Sequence, residues 1–250
     1  MSDQPTIAIH AAASGDTAAA DILLLPGRAA LLPASRTLLV ADLHLGKAAT
    51  FRRAGIPVPE GSAQGDLARL ERLVAAHGPR RIVILGDLFH ARSGATRRVF
   101  DEFAALRSRI AATEVVLVLG NHDRSVGSLP AVLGIDACVP VLDEPPFSFV
   151  HEPASAWAGD GGKATTASLR GSFTFAGHLH PTVTLRSPGG DRLSERCFAA
   201  EPSLLVLPAF GSFTGGHAVR PTDRSRLWIA RDDAVVDVTR LAVLSVSGRR

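Results

Sequence analysis

Apolar runs alternate with polar stretches along the chain, and their spacing differs between its two halves. In the first half, short apolar runs at residues 38–41, 81–85 and 115–119 predict strands. Between them, apolar residues recur at helical spacing, at Leu67, Leu70, Leu73 and Val74 and then at Val99, Phe103, Leu106 and Ile110. This β-α-β-α-β order predicts a parallel sheet with right-handed crossovers.

The second half of the chain predicts short strands and few helical periods. These strands cover residues 147–150, 173–176, 182–185, 196–199, 204–207, 227–230 and 235–238. Residues 22–32 predict a hairpin around Pro26-Gly27, and residues 129–133 predict a short helix. Residues 159–163 and 187–191 predict turn-rich loops.

The stretch from Lys47 to Glu60 ends in a glycine and two prolines, and we interpret it as a shaped loop rather than a helix. No composition shift marks a domain boundary. We expect one domain over residues 1–250, of the α/β (α+β) class, in which a β-sandwich is flanked by helices. About residues 1–20 are expected to be poorly ordered or to add an edge strand.

Polar residues that bind metals or carry protons follow five of the predicted strands directly. Polar groups at the rim of a core need partners, so this recurrence indicates one shared site. Open α/β folds hold their ligands at the carboxyl ends of strands. The residues concerned are Asp42, His44, Asp87, Asn121, His122, Asp123, His151, His178 and His180.

Composition restricts the class of protein. Of the 250 residues, 46% are hydrophobic, which is enough for a large core and excludes a disordered chain. Two widely separated cysteines argue against a disulfide scaffold or a thiolate zinc site and fit a reducing compartment. No secretory signal is apparent and no apolar run approaches a membrane span, so we expect a cytoplasmic protein without membrane contact. The net charge of +3 permits a polyanionic partner without requiring one.

Seven of the rim residues offer only oxygen and imidazole nitrogen as ligand atoms. Such a set suits Mn, Fe or Zn rather than a cysteine-bound structural zinc. Seven ligands exceed the needs of one tetrahedral ion, and they fit two ions about 3.5–4 Å apart that share a bridging carboxylate. The seven are Asp42, His44, Asp87, Asn121, His151, His178 and His180.

The net charge of the predicted metal site restricts the class of substrate. Two divalent ions bring about +4 and the two aspartates return about −2, which favours an anionic substrate such as a phosphate ester. Metal coordination lowers the pKa of water to about 7 and so provides a hydroxide nucleophile, while the ions clamp phosphate oxygens. His122, next to Asn121, is the candidate general acid for the leaving oxygen, and Asp123 is expected to fix its tautomer.

Five polar motifs occur in an order that resembles the signature of the calcineurin-like metallophosphoesterase superfamily: Asp42-x-His44, Gly86-Asp87, Gly120-Asn121-His122-Asp123, His151 and Gly177-His178-x-His180. The resemblance spans residues 38–181 and departs at no ligand position. It implies a four-layer αββα sandwich and a first ion bound by Asp42, His44 and His180. It further implies that Asp87 bridges the ions, and that the second ion is bound by Asn121, His151 and His178. His122 matches the catalytic histidine of the superfamily.

Other stretches are similar to the bacterial ligase-associated DNA-damage-response endonucleases, namely residues 41–47, 51–52, 55–57, 59–61, 195–198 and 207–216. That resemblance implies a metal-dependent DNA phosphodiesterase in DNA repair, with Mn as the first candidate metal and Fe or Zn as alternatives. It also implies that the protein works with an ATP-dependent DNA ligase, an exonuclease and a helicase.

The sequence indicates substrate-binding residues less specifically than it indicates metal ligands. Lys47, Arg52 and Arg53 follow the first ligands, and Arg124 follows the His122-Asp123 pair, so all four could contact a nucleic-acid backbone. The alternative is a solvated basic surface. His90, three residues after Asp87, is either a neighbour of the ligands or a loop residue.

Two other functions remain open at this point. The same chemistry suits a phosphatase or nucleotide phosphodiesterase acting on a small molecule. The same fold also suits a non-catalytic interaction module.

Overall fold

Two β-sheets stacked face to face form the centre of the structure. The computed structural model describes residues 6–11, 20–58, 61–153, 169–187 and 189–242. The helices in these ranges are α1 (Lys47–Arg53), α2 (Ser62–His77), α3 (Arg97–Arg109) and α4 (Asn121–Val126), with a 3-10 turn at Ala131–Leu133. The strands are β1 (Ile7–Ala11), β2 (Ala20–Leu25), β3 (Ala29–Leu32), β4 (Thr37–Val40), β5 (Arg81–Leu85), β6 (Glu114–Val118), β7 (Ala137–Val139), β8 (Leu142–Glu144), β9 (Phe147–Phe149), β10 (Phe173–Ala176), β11 (Pro181–Arg186), β12 (Arg192–Glu201), β13 (Leu204–Val206), β14 (His217–Ala218), β15 (Arg226–Ala230) and β16 (Val235–Asp237).

The first sheet has seven strands in the order β1 to β7. Strands β1 to β4 pair antiparallel, whereas β4, β5, β6 and β7 run parallel. The predicted hairpin and the predicted β-α-β-α-β unit are therefore confirmed, and β1 is the expected edge strand. Residues 1–5 and 12–19 lie outside the described part of the chain.

The second sheet contains β8 to β16 and mixes parallel with antiparallel pairs. Its central strand β10 runs parallel to both β9 and β13, so it ends at the same edge of the sandwich as its neighbours. Strand β12 pairs antiparallel with β11, β13 and β15. Both sheets are therefore mixed, and the short strands predicted for the second half of the chain from residue 147 onward form this second sheet.

Side-chain alternation explains why the central strands read as continuous apolar runs. Along β5, Val83 faces the second sheet, whereas Ile82 and Ile84 face α2 and α3. Strands buried on both faces carry apolar residues at every position. On the second sheet, Phe149 and Phe175 fill the space between the sheets, and their rings stack 5.3 Å apart.

A third apolar cluster covers the outer face of the second sheet. Its members include Val183, Cys197 and Leu227 from strands, with Val219, Val238 and Ala242 from the segments that follow. Residues 239–242 are helical. Helices thus flank the sandwich as predicted, with α2 and α3 on the first sheet. No helix of the described residues is long and apolar enough to cross a membrane.

The prediction of a loop from Lys47 to Glu60 was wrong for the first half of that stretch. Residues 47–53 form helix α1, because the glycine and prolines that disfavour a helix begin only at Gly55. Helix α4 was not predicted either, since a single turn gives no periodic signal. The turn at residues 187–191 is closed by a bond from the Ser187 amide to the Asp191 carbonyl, and residues 159–163 lie outside the described chain.

Candidate metal centre

The carboxyl ends of five strands deliver the predicted ligands to one place. Strand β4 leads into Asp42 and His44, β5 into Asp87, β6 into Asn121, β9 into His151, and β10 into His178 and His180. Backbone bonds tie these strand ends together. The amide of Asp42 donates to the Gly86 carbonyl at 3.1 Å, and the amide of His44 donates to the Asp87 carbonyl at 2.8 Å.

One half of the site surrounds Asp42, which is fully buried. Nε2 of His180 lies 3.4 Å from the Asp42 carboxylate and 3.1 Å from Nε2 of His44. The backbone amide of His178 donates to both Asp42 oxygens, at 3.2 and 3.0 Å. Ligand atoms of Asp42, His44 and His180 therefore lie close enough to hold one ion.

The other half of the site surrounds Asp87, which is also buried. Nε2 of His151 lies 3.5 Å from the Asp87 carboxylate, 3.1 Å from Nδ1 of His178 and 3.0 Å from Oδ1 of Asn121. Nε2 of His44 is 3.7 Å from the same carboxylate. Asp87 consequently faces both halves, as a bridging ligand must.

The donor set fits a pair of divalent cations. Nδ1 of His151 donates to the Leu85 carbonyl at 3.0 Å, so its Nε2 carries the lone pair that faces the site. Two nitrogens bound at right angles to one ion are about 3 Å apart, since metal–nitrogen bonds are about 2.1 Å long. Both close imidazole pairs of the site have this spacing.

Electrostatics point the same way. Burial and the adjacent Asp42 charge raise the pKa of Asp87 to about 8. Burial would also raise the pKa of Asp42, but the histidines around it outweigh burial, and hold this pKa below its usual value. Burial lowers the pKa of His44 to about 2, which keeps its imidazole neutral and able to ligate. Two buried carboxylates that cannot both ionise side by side favour a cation between them.

Backbone strain is concentrated at the same residues. Seven non-glycine residues of the described chain have φ between 45° and 71°, and five of them belong to the candidate site. Left-handed backbone is uncommon outside glycine and costs on the order of 1–3 kcal/mol per residue. The five are Asp42, His44, Asp87, His178 and His180.

Glycines before three of the ligands allow the strand ends to approach one another. A Cβ on Gly120 would lie 2.1 Å from the Asp87 carboxylate, and a Cβ on Gly86 would lie 2.1 Å from the His151 ring. No side chain can be placed at either position without displacing a ligand. The Gly-Asp and Gly-Asn pairs in the sequence are therefore requirements of the packing around the site.

His122 lies on the open side of the site. Its side chain is 36% exposed, its Nε2 is 3.8 Å from the Asp87 carboxylate, and its backbone amide donates to Asp87 at 2.9 Å. The His90 ring stacks on the His122 ring with centroids 5.1 Å apart. His90, His122 and His44 form a further cluster of possible ligand atoms. The sequence left His90 ambiguous, because only its position three residues after Asp87 indicated the site.

Asp123 has different partners from those expected. Its buried carboxylate accepts hydrogen bonds from the backbone amides of Phe89 and Gly120, both at 3.1 Å. These bonds hold the loop after Asp87 against the start of α4. We therefore interpret Asp123 as a residue that positions the ligand loops, whereas the sequence had suggested that it orients the His122 ring.

The four predicted substrate contacts differ in position. Lys47, at the start of α1, interacts electrostatically with Asp87, and burial lowers its pKa. Arg52 and Arg53 are exposed at the end of α1 and donate to the carbonyls of Val58 and Ser93. Arg124 is exposed on α4 and donates to the Leu119 carbonyl at 3.3 Å. Lys47 thus interacts with a ligand carboxylate, whereas the other three are exposed.

Comparisons with known proteins agree with this geometry. The family model for calcineurin-like phosphoesterases matches residues 35–198. The nuclease MPE of Pseudomonas putida is 34% identical, with a TM-score of 0.68, and the alignment covers 92% of this chain and all of the other. No curated protein sequence matches the chain significantly.

Two other solved structures are more distant. The phosphoesterase Yfce from E. coli is 16% identical with a TM-score of 0.40, and the alignment covers 81% of this chain and 98% of that one. The protein AQ665 of unknown function from Aquifex aeolicus is 14% identical with a TM-score of 0.37, over 58% of this chain and 78% of that one.

Gly120→Ala should remove bound metal, because the added Cβ would meet both the carboxylate and the backbone nitrogen of Asp87. The added Cβ would displace the Asp87 carboxylate, so we expect metal content to fall to about one ion per chain or less, measured by atomic emission after dialysis. Gly65→Ala is the matched control, because nothing lies within 4 Å of its Cβ position. Full metal content in the Gly120→Ala protein would contradict the arrangement described above.

The metal-free protein should lose stability as the pH rises from 7 to 8.5. Asp87, with a folded pKa of about 8 against an ordinary 3.8, holds a proton in the folded state that the unfolded chain has released. The contribution of this bound proton to the free energy of unfolding decreases as the pH rises through the folded pKa, by about 1 kcal/mol over this range. Urea unfolding in the presence of a chelator should show this decrease in the native protein and not in the Asp87→Asn variant. If the free energies of unfolding of the two proteins change in parallel with pH, the prediction is wrong.

Proposed function

The chain belongs to the calcineurin-like phosphoesterase family, and we propose that it is a two-metal phosphodiesterase that cleaves DNA. One observation carries this proposal: two buried aspartates are each surrounded by imidazoles, and the ring of a further histidine stands on the open side. Similarity to a nuclease over nearly the whole chain supports a nucleic-acid substrate.

The seven ligand residues would hold the two ions in the pairing that the resemblance implies. Asp42, His44 and His180 would bind one ion, Asn121, His151 and His178 the other, and Asp87 both. When bound, the ions supply Lewis acidity and a nucleophile at neutral pH. We propose Mn as the natural metal on the subgroup resemblance. Fe and Zn are alternatives, because oxygen and nitrogen ligands suit all three.

His122 would carry the proton that the leaving oxygen needs. Its side chain is partly exposed next to Asp87, so its ring can reach a phosphate ester that enters from solvent. The stacked His90 ring restricts its rotation. A sugar oxygen leaves slowly unless it is protonated, so a positioned acid contributes about 10²–10⁴-fold to such a step.

Basic residues near the site would bind the anionic strand. Lys47 acts on Asp87 electrostatically, and Arg52 and Arg53 on α1 and Arg124 on α4 add further positive charge. Contacts to phosphate fix the strand without reading its sequence. We further propose a role in DNA repair, in the cytoplasm, with a DNA ligase, an exonuclease and a helicase as partners. That context rests on the subgroup resemblance.

His122→Ala should lower DNA cleavage by about 10²–10⁴-fold and leave the metal content unchanged. The loss should be smaller on bis-p-nitrophenyl phosphate, because nitrophenolate leaves without protonation. The comparison of kcat on both substrates, with metal analysis of each preparation, tests the assignment. Loss of metal in the variant, or equal losses on both substrates, would count against a general acid.

A substrate panel tests the function as a whole. With Mn²⁺ we expect hydrolysis of DNA and of bis-p-nitrophenyl phosphate, and little hydrolysis of p-nitrophenyl phosphate. The logarithm of the DNA-binding constant should fall linearly with the logarithm of the salt concentration, with a slope of about −0.7 to −0.9 for each phosphate contacted. Charge reversal at Lys47, Arg52 and Arg53 should make the total slope less steep, because fewer phosphates are then contacted. A dominant monoesterase activity would favour the small-molecule alternative, and no turnover with metal bound would favour the interaction module.

A further inference from the structure

A row of aromatic rings leads from the metal centre to the surface. The His90 ring, stacked on His122, lies 6.3 Å from the ring of Phe51 on α1. Phe51 in turn meets the ring of Phe213 edge to face, with centroids 5.5 Å apart. Phe213 lies in the segment between β13 and β14, and it ends the row at the surface.

The outer two rings of this row are not part of the protein's core. Neither Phe51 nor Phe213 belongs to the three apolar clusters of the described residues, and Phe213 is 37% exposed. Ile56, whose amide donates to the Phe51 carbonyl, is 47% exposed. Large apolar side chains grouped at a surface mark a binding site when nothing in the fold covers them.

The backbone that carries Phe213 is held rigidly. Arg196 donates to the carbonyls of Ser212 and Thr214, the residues on either side of Phe213, at 2.8 and 2.7 Å. The buried Asp66 carboxylate accepts the Ser212 amide at 2.9 Å. A side chain presented on a fixed backbone loses little freedom when it binds a ligand.

The same segment is attached to the metal centre. The amide of Gly211 donates to the Asp42 carbonyl at 3.1 Å. Phe213, His44 and Lys47 also line one cavity of about 80 Å³. The backbone that carries Phe213 is therefore fixed relative to the loop that carries Asp42.

Charge around the two rings identifies the kind of occupant. Helix α1 carries Lys47, Arg52 and Arg53 and has no acidic residue. Aromatic rings beside a basic surface are the usual means of holding a nucleic-acid strand, in which bases stack on the rings and phosphates meet the cations. A purely apolar partner would gain nothing from these three cations.

We propose that Phe51 and Phe213 form a base-stacking subsite for the nucleotide next to the scissile phosphate. One nucleotide can have its phosphate at His122 and its base at the Phe51–Phe213 pair, because the His90 ring is 5.1 Å from the His122 ring and 6.3 Å from the Phe51 ring, centroid to centroid. The occupant is a nucleobase not held in a base pair. This inference rests on the proposed phosphodiesterase function and specifies which substrate group the site recognises beyond the phosphate.

The test compares a short labelled DNA oligonucleotide with a fully abasic oligonucleotide of the same length and charge. Fluorescence anisotropy with the metal-loaded protein gives the two dissociation constants, and every protein compared carries His122→Ala so that the DNA is not cleaved during the measurement. We expect the protein with both rings intact to bind the oligonucleotide with bases at least about 5-fold more tightly, from one stacked base. Phe213→Ala should abolish most of this preference, Phe213→Leu should do nearly the same, and Phe213→Trp should keep it.

Two controls separate stacking from other effects. Arg52→Ala should weaken binding of both oligonucleotides by the same factor, because it removes a cation and leaves both rings in place. Leu193→Ala, which removes an exposed apolar side chain on β12, should change neither constant. Phe51→Ala repeats the test from the other ring, with metal content and thermal midpoint as checks on folding.

The outcomes distinguish the two proposals. Failure of the metal-loaded native protein to bind or cleave any DNA would overturn the proposed function, and the subsite with it. Cleavage of DNA with equal affinity for both oligonucleotides would overturn the subsite alone. An unchanged base preference in Phe213→Ala and Phe51→Ala would do the same.

Discussion

Two carboxylates buried next to each other, Asp42 and Asp87, are the constraint on which this structure depends. Burial and the neighbouring Asp42 charge raise the pKa of Asp87, so both carboxylates ionise together at neutral pH only when further positive charge lies next to them. A neutral imidazole such as that of His44 can donate a lone pair but brings no such charge. Divalent cations bring both the charge and the empty coordination positions, so the fold and the metal requirement have a common origin.

The surrounding chain is strained to keep these groups together. Left-handed backbone at five ligand positions and close contacts at Gly86 and Gly120 are unfavourable locally. They persist because both sheets and helices α2 and α3 are packed through large apolar clusters whose burial is strongly favourable. The stability that the core contributes thus offsets the strained backbone at the edge of the sheets.

The sequence predicted the strands and the ligands for the same reason. Each apolar run ends abruptly in a polar ligand, and parallel neighbours such as β4 and β5 must end at one edge, so their polar residues meet. It did not predict α1, because a seven-residue helix before Gly55 has too few turns for a period. Nor did it reveal the partners of Asp123, since a carboxylate next to His122 in sequence points to the backbone of another loop in space. For Phe213 the sequence showed only its place in a stretch that is similar to the endonuclease subgroup, because the residues next to a ring in the sequence do not show whether that ring is exposed.

The metal centre alone does not determine the substrate. Carboxylates and imidazoles around two cations attract any phosphate ester, whether it belongs to a nucleotide, a small metabolite or a polymer. What this chain adds is a basic helix, α1, and a segment after β13 that is bonded directly to Asp42. These two elements lie at the opening of the site and present cations and aromatic rings in fixed positions. Their side chains are not among the predicted ligands, so they can vary without altering the ligand set. We therefore attribute selection among phosphate esters to these two elements, and bond cleavage to the strand ends.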